Sequence, residues 1–281
     1  MPAQVIQSNT TPFQSITVDP VTLDIIENAL RNARSEMDAV LFRTAMSPGI
    51  REQHDAFPMI ANHEGKMVVG QFGSFFWGFQ QGYDGTIEEG DVFLTNDPYS
   101  CNGAVSHLND WLMMMPIYID GRLVAWAAMF GHMTDIGGKV PGSLPTDAAQ
   151  VFEEGIQVPP VKIIRNGELN TEILELILRN CRLPDWNRSD FNALVAALRL
   201  AERRVLEMAN RFGVDELVVA MVEMLDRNKR AMGAILNMVI PEKKQHFEDY
   251  IDDDGMGMPP RLAPSHVVIL PIIRDEADHE S

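Results

Sequence analysis

Two histidines and an aspartate carry the chemistry most readily seen in this chain: His107, Asp110 and His132. Imidazole nitrogens and carboxylate oxygens are the usual donors of divalent-metal sites. Three protein ligands leave coordination positions open for water or substrate. His107 and Asp110 lie within one turn of chain, whereas His132 must be brought back to them.

A hairpin does this. Residues 111–119 and 122–130 are apolar enough to be buried strands, and Asp120-Gly121 between them suits a two-residue type I′ turn, in which both central residues take positive φ. Counting back from Ile119 opposite Arg122 pairs Asp110 with Gly131 and Asn109 with His132. His132 then lies beside His107-Leu108-Asn109-Asp110. In a strict pleat His132 and Asp110 point to opposite faces. A metal set at these positions therefore needs a turn or bulge near Asn109, and bulges are common beside active sites. The plainer alternative is a pair of strand-end histidines that are solvated or hydrogen-bonded in the core.

The chain has 281 residues, 46% of them hydrophobic. That suffices for a sizeable core in one large domain or two smaller ones. A net charge of -17 argues against nucleic acid or an anionic membrane as partner, since both call for a basic footprint. The two cysteines, Cys101 and Cys181, form no metal-binding pair and no disulfide framework, so a reducing cytoplasm is the expected setting. The N-terminus lacks the pattern of a signal peptide, and no stretch has the length of a membrane span.

The positioning elements follow in order. Residues 1–17 are a polar arm. Asp19-Pro20 caps and starts an amphipathic helix over 21–44, ended by Ser47-Pro48-Gly49. His54 and Asp55 are polar site residues or a solvated turn. Residues 57–61 and 66–69 form a hairpin. The aromatic patch over 71–79 includes Phe75, Phe76 and Trp77, which either wall a pocket for an aromatic ligand or form a core seam. Residues 92–95 are a strand, and Asn96-Asp97-Pro98 is turn chemistry. The glycine-rich loop over 135–143 has no phosphate-loop pattern. Its Asp135 either supports the metal site as a base or caps a turn. Residues 158–164 are a strand. Helices follow over 171–180, 188–209 (with Ser189 as cap) and 215–238. The end is acidic, with a last strand over 265–273. The expected fold is α+β: a mixed or antiparallel β core with hairpins to about residue 168, a long N-terminal helix, a helical region over 169–240 and an acidic tail over 241–281.

A set of motifs occurs here in one order: Asn96-Asp97-Pro98-Tyr99, His107-x-x-Asp110, Gly131-His132-x-x-Asp135-Ile136-Gly137-Gly138, Pro141-Gly142-Ser143, Phe152-Glu153-Glu154-Gly155, Pro159-Pro160-Val161-Lys162 and Glu175-Leu176-Ile177-x-x-Asn180. Together they resemble the hydantoinase B family from about residue 18 to about residue 255. That family includes the B-type parts of ATP-dependent hydantoinases and oxoprolinases and the metal-carrying subunit of acetone carboxylase. The resemblance implies a divalent ion on His107, Asp110 and His132, manganese as in that relative, or zinc. It also implies a hydantoinase-A-like partner subunit that binds ATP. The chain departs from the family at Met133, where a second histidine is usual, and in being short.

A short B-type chain with an aromatic patch is similar to the small epsilon subunit of acetophenone carboxylase. The implied role is a subunit of an ATP-dependent ketone carboxylase. With its other carboxylase subunits, such an enzyme turns acetophenone and bicarbonate into benzoylacetate. Asp135 would then serve catalysis, and Phe75, Phe76 and Trp77 would receive the ketone. Two alternatives stand beside this: a subunit of a hydantoinase- or oxoprolinase-type amide hydrolase, and a non-catalytic structural or regulatory paralogue.

Overall fold

Asp19 opens the first helix. Its carboxylate accepts the N–H groups of Val21 and Thr22, and Pro20 supplies a pre-set φ, so α1 runs Pro20–Thr44. Its Leu23, Ile26, Leu30, Met37 and Leu41 recur at helical intervals and are buried. Each contributes about 1.5–3 kcal/mol in apolar burial. In the computed structural model, residue 13 and residues 16–71 and 75–239 are described. Most of the polar arm, the whole acidic tail and the strand expected over 265–273 lie outside the described residues.

After α1 come the short helix α2 (Pro48–Arg51), strands β1 (Ala56–Asn62) and β2 (Met67–Val69), helix α3 (Phe75–Gly82) and strand β3 (Val92–Thr95). The central hairpin is β4 (Asp110–Ile119) with β5 (Arg122–His132). Strands β6 (Val161–Arg165) and β7 (Glu168–Leu169) precede helices α4 (Thr171–Arg179), α5 (Pro184–Phe212) and α6 (Val214–Val239). The strands make one sheet in the order β2-β1-β5-β4-β3-β6-β7, and every pairing is antiparallel. The α+β expectation holds, with no parallel pair among the described residues.

Side chains leave the sheet on two faces. Trp111, Met113, Met115, Ile117, Ala127 and Met129 join the core formed with α1, α5 and α6. Leu112, Met114, Trp126, Ala128 and Phe130 meet α3 and the chain around Cys101 and Val105. The sheet is thus the middle layer. The short helix α2 and strand β7 are not among the expected elements, and two further elements differ from expectation. The aromatic patch forms α3, because Phe75, Phe76 and Phe79 fall on one helical face and are buried on the sheet. Helix α5 begins at Pro184, which is pre-set for the first helical position. Ser189 therefore lies inside the helix, and its hydroxyl donates to the Thr44 carbonyl.

The central hairpin turns as expected. Asp120 and Gly121 have φ of 50° and 73°. Its register does not run strictly back from the turn. Ile119 faces Arg122 and Tyr118 faces Leu123, but Ile117 faces Ala125, which leaves Val124 as an extra residue in β5. Val124 and Ala125 both enter the core beneath the long helices. From there the pairing is regular and sets Asp110 opposite His132. The expected pairing of Asp110 with Gly131 is thus off by one, and the bulge lies next to the turn, not near Asn109.

Candidate metal centre

Asp110 is the first residue of β4 and His132 the last of β5. Residues directly opposed in an antiparallel pair share a face. Both side chains therefore leave on the α3 side, in line with Leu112 and Phe130. His107 reaches the same point from the turn before β4, where the Asp110 amide donates to the His107 carbonyl. The three donor atoms form a nearly equilateral triangle. His107 Nε2 lies 3.1 Å from His132 Nδ1 and 3.1 Å from Asp110 Oδ1, and His132 Nδ1 lies 3.2 Å from Asp110 Oδ1. Such edges match the spacing of adjacent ligands around one ion with bonds of about 2.1 Å. The donors also fit in kind: two imidazoles and one carboxylate suit manganese, iron or zinc. Ser106 Oγ lies 3.0 Å from His107 Nδ1. A ring that donates Nδ1–H to this hydroxyl turns the Nε2 lone pair to the centre.

A second carboxylate stands alongside. The His132 amide donates to the Asp55 carbonyl at 3.1 Å, which extends the β1–β5 pairing by one residue. Asp55 Oδ2 then lies 3.5 Å from His132 Nδ1. The preceding residue, His54, has φ of 58° and stacks on Phe42 with ring centroids 4.0 Å apart. That left-handed residue makes the sharp entry into β1. The sequence alone leaves Asp55 between a site and a solvated turn. Its one signal is its place immediately before a strand, and that signal speaks only once the strand is known to pair with the end of β5.

The electrostatics are those of a cation site. Burial would lower the pKa of His107, but the Asp110 hydrogen bond and the charges of Asp110, Asp55 and Glu154 outweigh it and raise it. Burial would raise the pKa of Asp110, but hydrogen bonds from His107 and His132 hold it below the usual carboxylate range. Burial pushes the Asp55 carboxyl up, and the Asp110 charge adds to this. Burial likewise pushes up the Glu154 carboxyl, with the His107 charge opposing. The Asp110 carboxylate beside the imidazoles favours positive charge at the centre, from a proton on His107 or from a metal ion.

Asn109 ties the two strand ends together. Its Nδ2 donates to the Met133 carbonyl at 2.9 Å and the Gly142 carbonyl at 3.3 Å, and its own carbonyl accepts the Met133 amide at 2.8 Å. The Met133 side chain is fully buried in the core beneath the long helices. The departure from the family pattern therefore faces away from the donor triangle.

The other expected site residues lie elsewhere. Asp135 is buried and outside the triangle. Its carboxylate accepts the amides of Gly137 and Gly142 at 2.9 Å each and that of Arg182 at 3.3 Å, and pairs with the Arg182 guanidinium at 3.1 Å. Burial would raise its pKa, but these bonds outweigh it and hold it low. It knits the glycine-rich loop together. Phe75 and Phe76 are buried against Phe130 and Trp126, respectively. Trp77 points outward, 61% exposed. The structure thus places two of these aromatics in a core seam and the third on the surface. No described helix is long and apolar enough to cross a membrane.

Known proteins share this architecture. The chain is 34% identical over 251 residues to the caprolactamase subunit beta of Pseudomonas jessenii, taking in 86% of this chain and 42% of that one. The crystal structure of the ATP-dependent caprolactamase from that organism matches with a TM-score of 0.78 at 32% identity, over 87% of this chain and 43% of that one. The acetophenone carboxylase delta subunit of Aromatoleum aromaticum is 29% identical over 171 residues, 57% of this chain and 25% of that one. The chain thus spans less than half the length of the curated relatives it matches. The profile of the hydantoinase B/oxoprolinase family matches residues 19–278, and the chain belongs to that family.

Proposed function

We propose that this chain is the metal-bearing part of an ATP-dependent cyclic-amide hydrolase in the cytoplasm. The observation that carries this is the triangle of His107, Asp110 and His132, with donor edges of 3.1–3.2 Å. The similarity to a caprolactamase subunit supports the amide substrate class. His107, Asp110 and His132 would hold the ion, with the Asp55 carboxylate beside His132 Nδ1 as support. A divalent ion held there, manganese or zinc, would supply Lewis-acid chemistry for a carbonyl and a water. Ser106 orients His107 for that task. A hydantoinase-A-like partner subunit brings ATP, whose phosphoryl group activates the amide.

A second reading is a subunit of a ketone carboxylase, favoured by the similarity to an acetophenone carboxylase subunit. With Phe75 and Phe76 packed in the core, the aryl-ketone version lacks a lining from those two residues. The test is elemental analysis of the chain co-purified with its partner, followed by ATP turnover with two sets of substrates. One set is ε-caprolactam, hydantoin and 5-oxoproline; the other is acetophenone with bicarbonate. About one ion per chain and lactam-dependent turnover are expected. Bicarbonate-dependent turnover with the ketone selects the carboxylase. No ion and no turnover leaves a non-catalytic member of the complex.

A further inference from the structure

The three donors come from separate pieces of chain, and His107 lies on neither strand of the hairpin. The amide of Asn96 addresses this. Asn96 is fully buried just beyond the end of β3. Its Nδ2 donates to the Leu108 carbonyl at 2.7 Å and to the Ile156 carbonyl at 2.9 Å. Its Oδ1 accepts the Val158 amide at 2.7 Å. Both amide hydrogens and the amide oxygen are thus engaged, each by backbone. One contact is on the residue next to His107. The other two are on the segment that follows Glu154.

Neighbouring bonds fix Asn96 itself. Its backbone amide donates to the Val158 carbonyl at 3.1 Å, and Thr95 Oγ1 donates to the same carbonyl at 3.0 Å. Asp97 Oδ1 accepts Gln157 Nε2 at 2.8 Å. The junction between the end of β3 and residues 156–158 is therefore rigid, and the Asn96 amide projects from it onto Leu108.

We infer that Asn96 is the positioning residue of the metal centre, holding His107 against Asp110 and His132 through the Leu108 carbonyl. The inference rests on the metal-site reading above. No other side-chain type of this size supplies two donors and one acceptor from one planar group. Aspartate keeps the size and the Val158 contact but loses both donors. It would then face two carbonyl oxygens at hydrogen-bond distance. Supports of this kind beyond the ligands typically govern metal affinity by about 10- to 100-fold.

The test uses the full chain, stripped with chelator and reloaded with manganese or cobalt, in three variants: Asn96→Asp, Asn96→Ala and Leu198→Ala. Leu198 is a fully buried residue of α5. Its truncation reports loss of stability without removing any hydrogen bond of Asn96. Metal affinity is measured by chelator competition at a temperature where circular dichroism shows each variant folded. The visible spectrum of the cobalt form reports ligand geometry. Both Asn96 variants are expected to bind about 10- to 100-fold more weakly with an altered cobalt spectrum. Leu198→Ala should bind like the wild type. Wild-type affinity and an unchanged spectrum in folded Asn96→Asp overturn the inference alone. Equal weakening in Leu198→Ala also overturns it, because the effect is then one of stability. A wild-type chain that takes up no ion overturns the metal-site reading first, and this inference with it.

Discussion

Asp110 and His132 stand directly opposite each other across the central hairpin, with Oδ1 and Nδ1 3.2 Å apart. They do so because Val124, near the other end of the hairpin, is one residue too many for a strict ladder. Without it, the pleat would turn the two side chains to opposite faces. The donor triangle thus depends on a buried residue far from it along the strand.

The double variant His107→Ala, His132→Ala should lose stoichiometric metal and keep its fold. Both side chains are at the edge of the α3-side core, and neither belongs to it. Elemental analysis and circular dichroism check this. A double variant that still carried about one ion per chain would remove the assignment. Asp55→Asn should weaken binding by about tenfold, less than Asp110→Asn. Asp55 is the farther and more exposed of the two carboxylates.

The metal-free and loaded forms should depend on pH in opposite ways. The pKa of His107 is raised on folding, so its contribution to metal-free stability is fully present below the ordinary histidine value. It is lost as pH rises through the raised value. The lowered pKa of Asp110 works the other way: its contribution is present above the ordinary carboxylate value and is lost as pH falls through the lowered one. The pair therefore helps the metal-free chain most between about pH 4 and 6.5. Metal must displace the His107 proton, so affinity should climb as pH rises through that same raised value. Melting temperatures with and without metal, taken at pH 5, 6, 7 and 8, should diverge as pH rises. A constant gap would contradict the proton competition.

Asp135→Asn should cost about 2 kcal/mol near neutral pH, because the change leaves the Arg182 guanidinium without its carboxylate. The native carboxyl has a lowered pKa, so its contribution exists above the ordinary carboxylate range and is lost as pH falls through the lowered value. Acid titration of stability should accordingly be flatter in the variant below about pH 4. Identical acid profiles would show that the loop does not depend on this charge.

Helix α3 lies on the backbone of the chain that leads to His107. A Cβ at Gly78 would come 2.0 Å from the Cys101 carbonyl oxygen, and one at Gly82 would come 1.6 Å from that of Ser100. Gly78→Ala should destabilise by about 1–3 kcal/mol and weaken the metal centre as well. Denaturant melts and chelator competition check the two effects. A variant as stable and as tightly loaded as the wild type would mean that α3 moves away freely.

Much of the site is legible in the amino-acid order. Asp120-Gly121 with two apolar runs specifies a hairpin by turn chemistry alone. A hairpin with those lengths returns His132 to the segment 107–110, by strict count opposite Asn109 rather than Asp110, where the structure sets it. Val124 is not legible. Nothing in Leu123-Val124-Ala125 marks a bulge, since all three are apolar and the decision falls to packing beneath the helices. The aromatic patch is ambiguous for a related reason: with glycines interleaved it can fold tightly, as a pocket wall or as a core seam. Yet Gly78 and Gly82 are what let α3 lie close to neighbouring backbone. Asp55 and Asn96 act across long sequence separations, so only the sheet order brings them to the centre.

The sheet ends in two very short strands, β2 with three residues and β7 with two. An edge this brief offers little unpaired backbone for a visiting chain to extend. A visiting strand would thus gain few backbone hydrogen bonds from β2 or β7 themselves, and a substitution on their side chains would leave the ladder beneath intact.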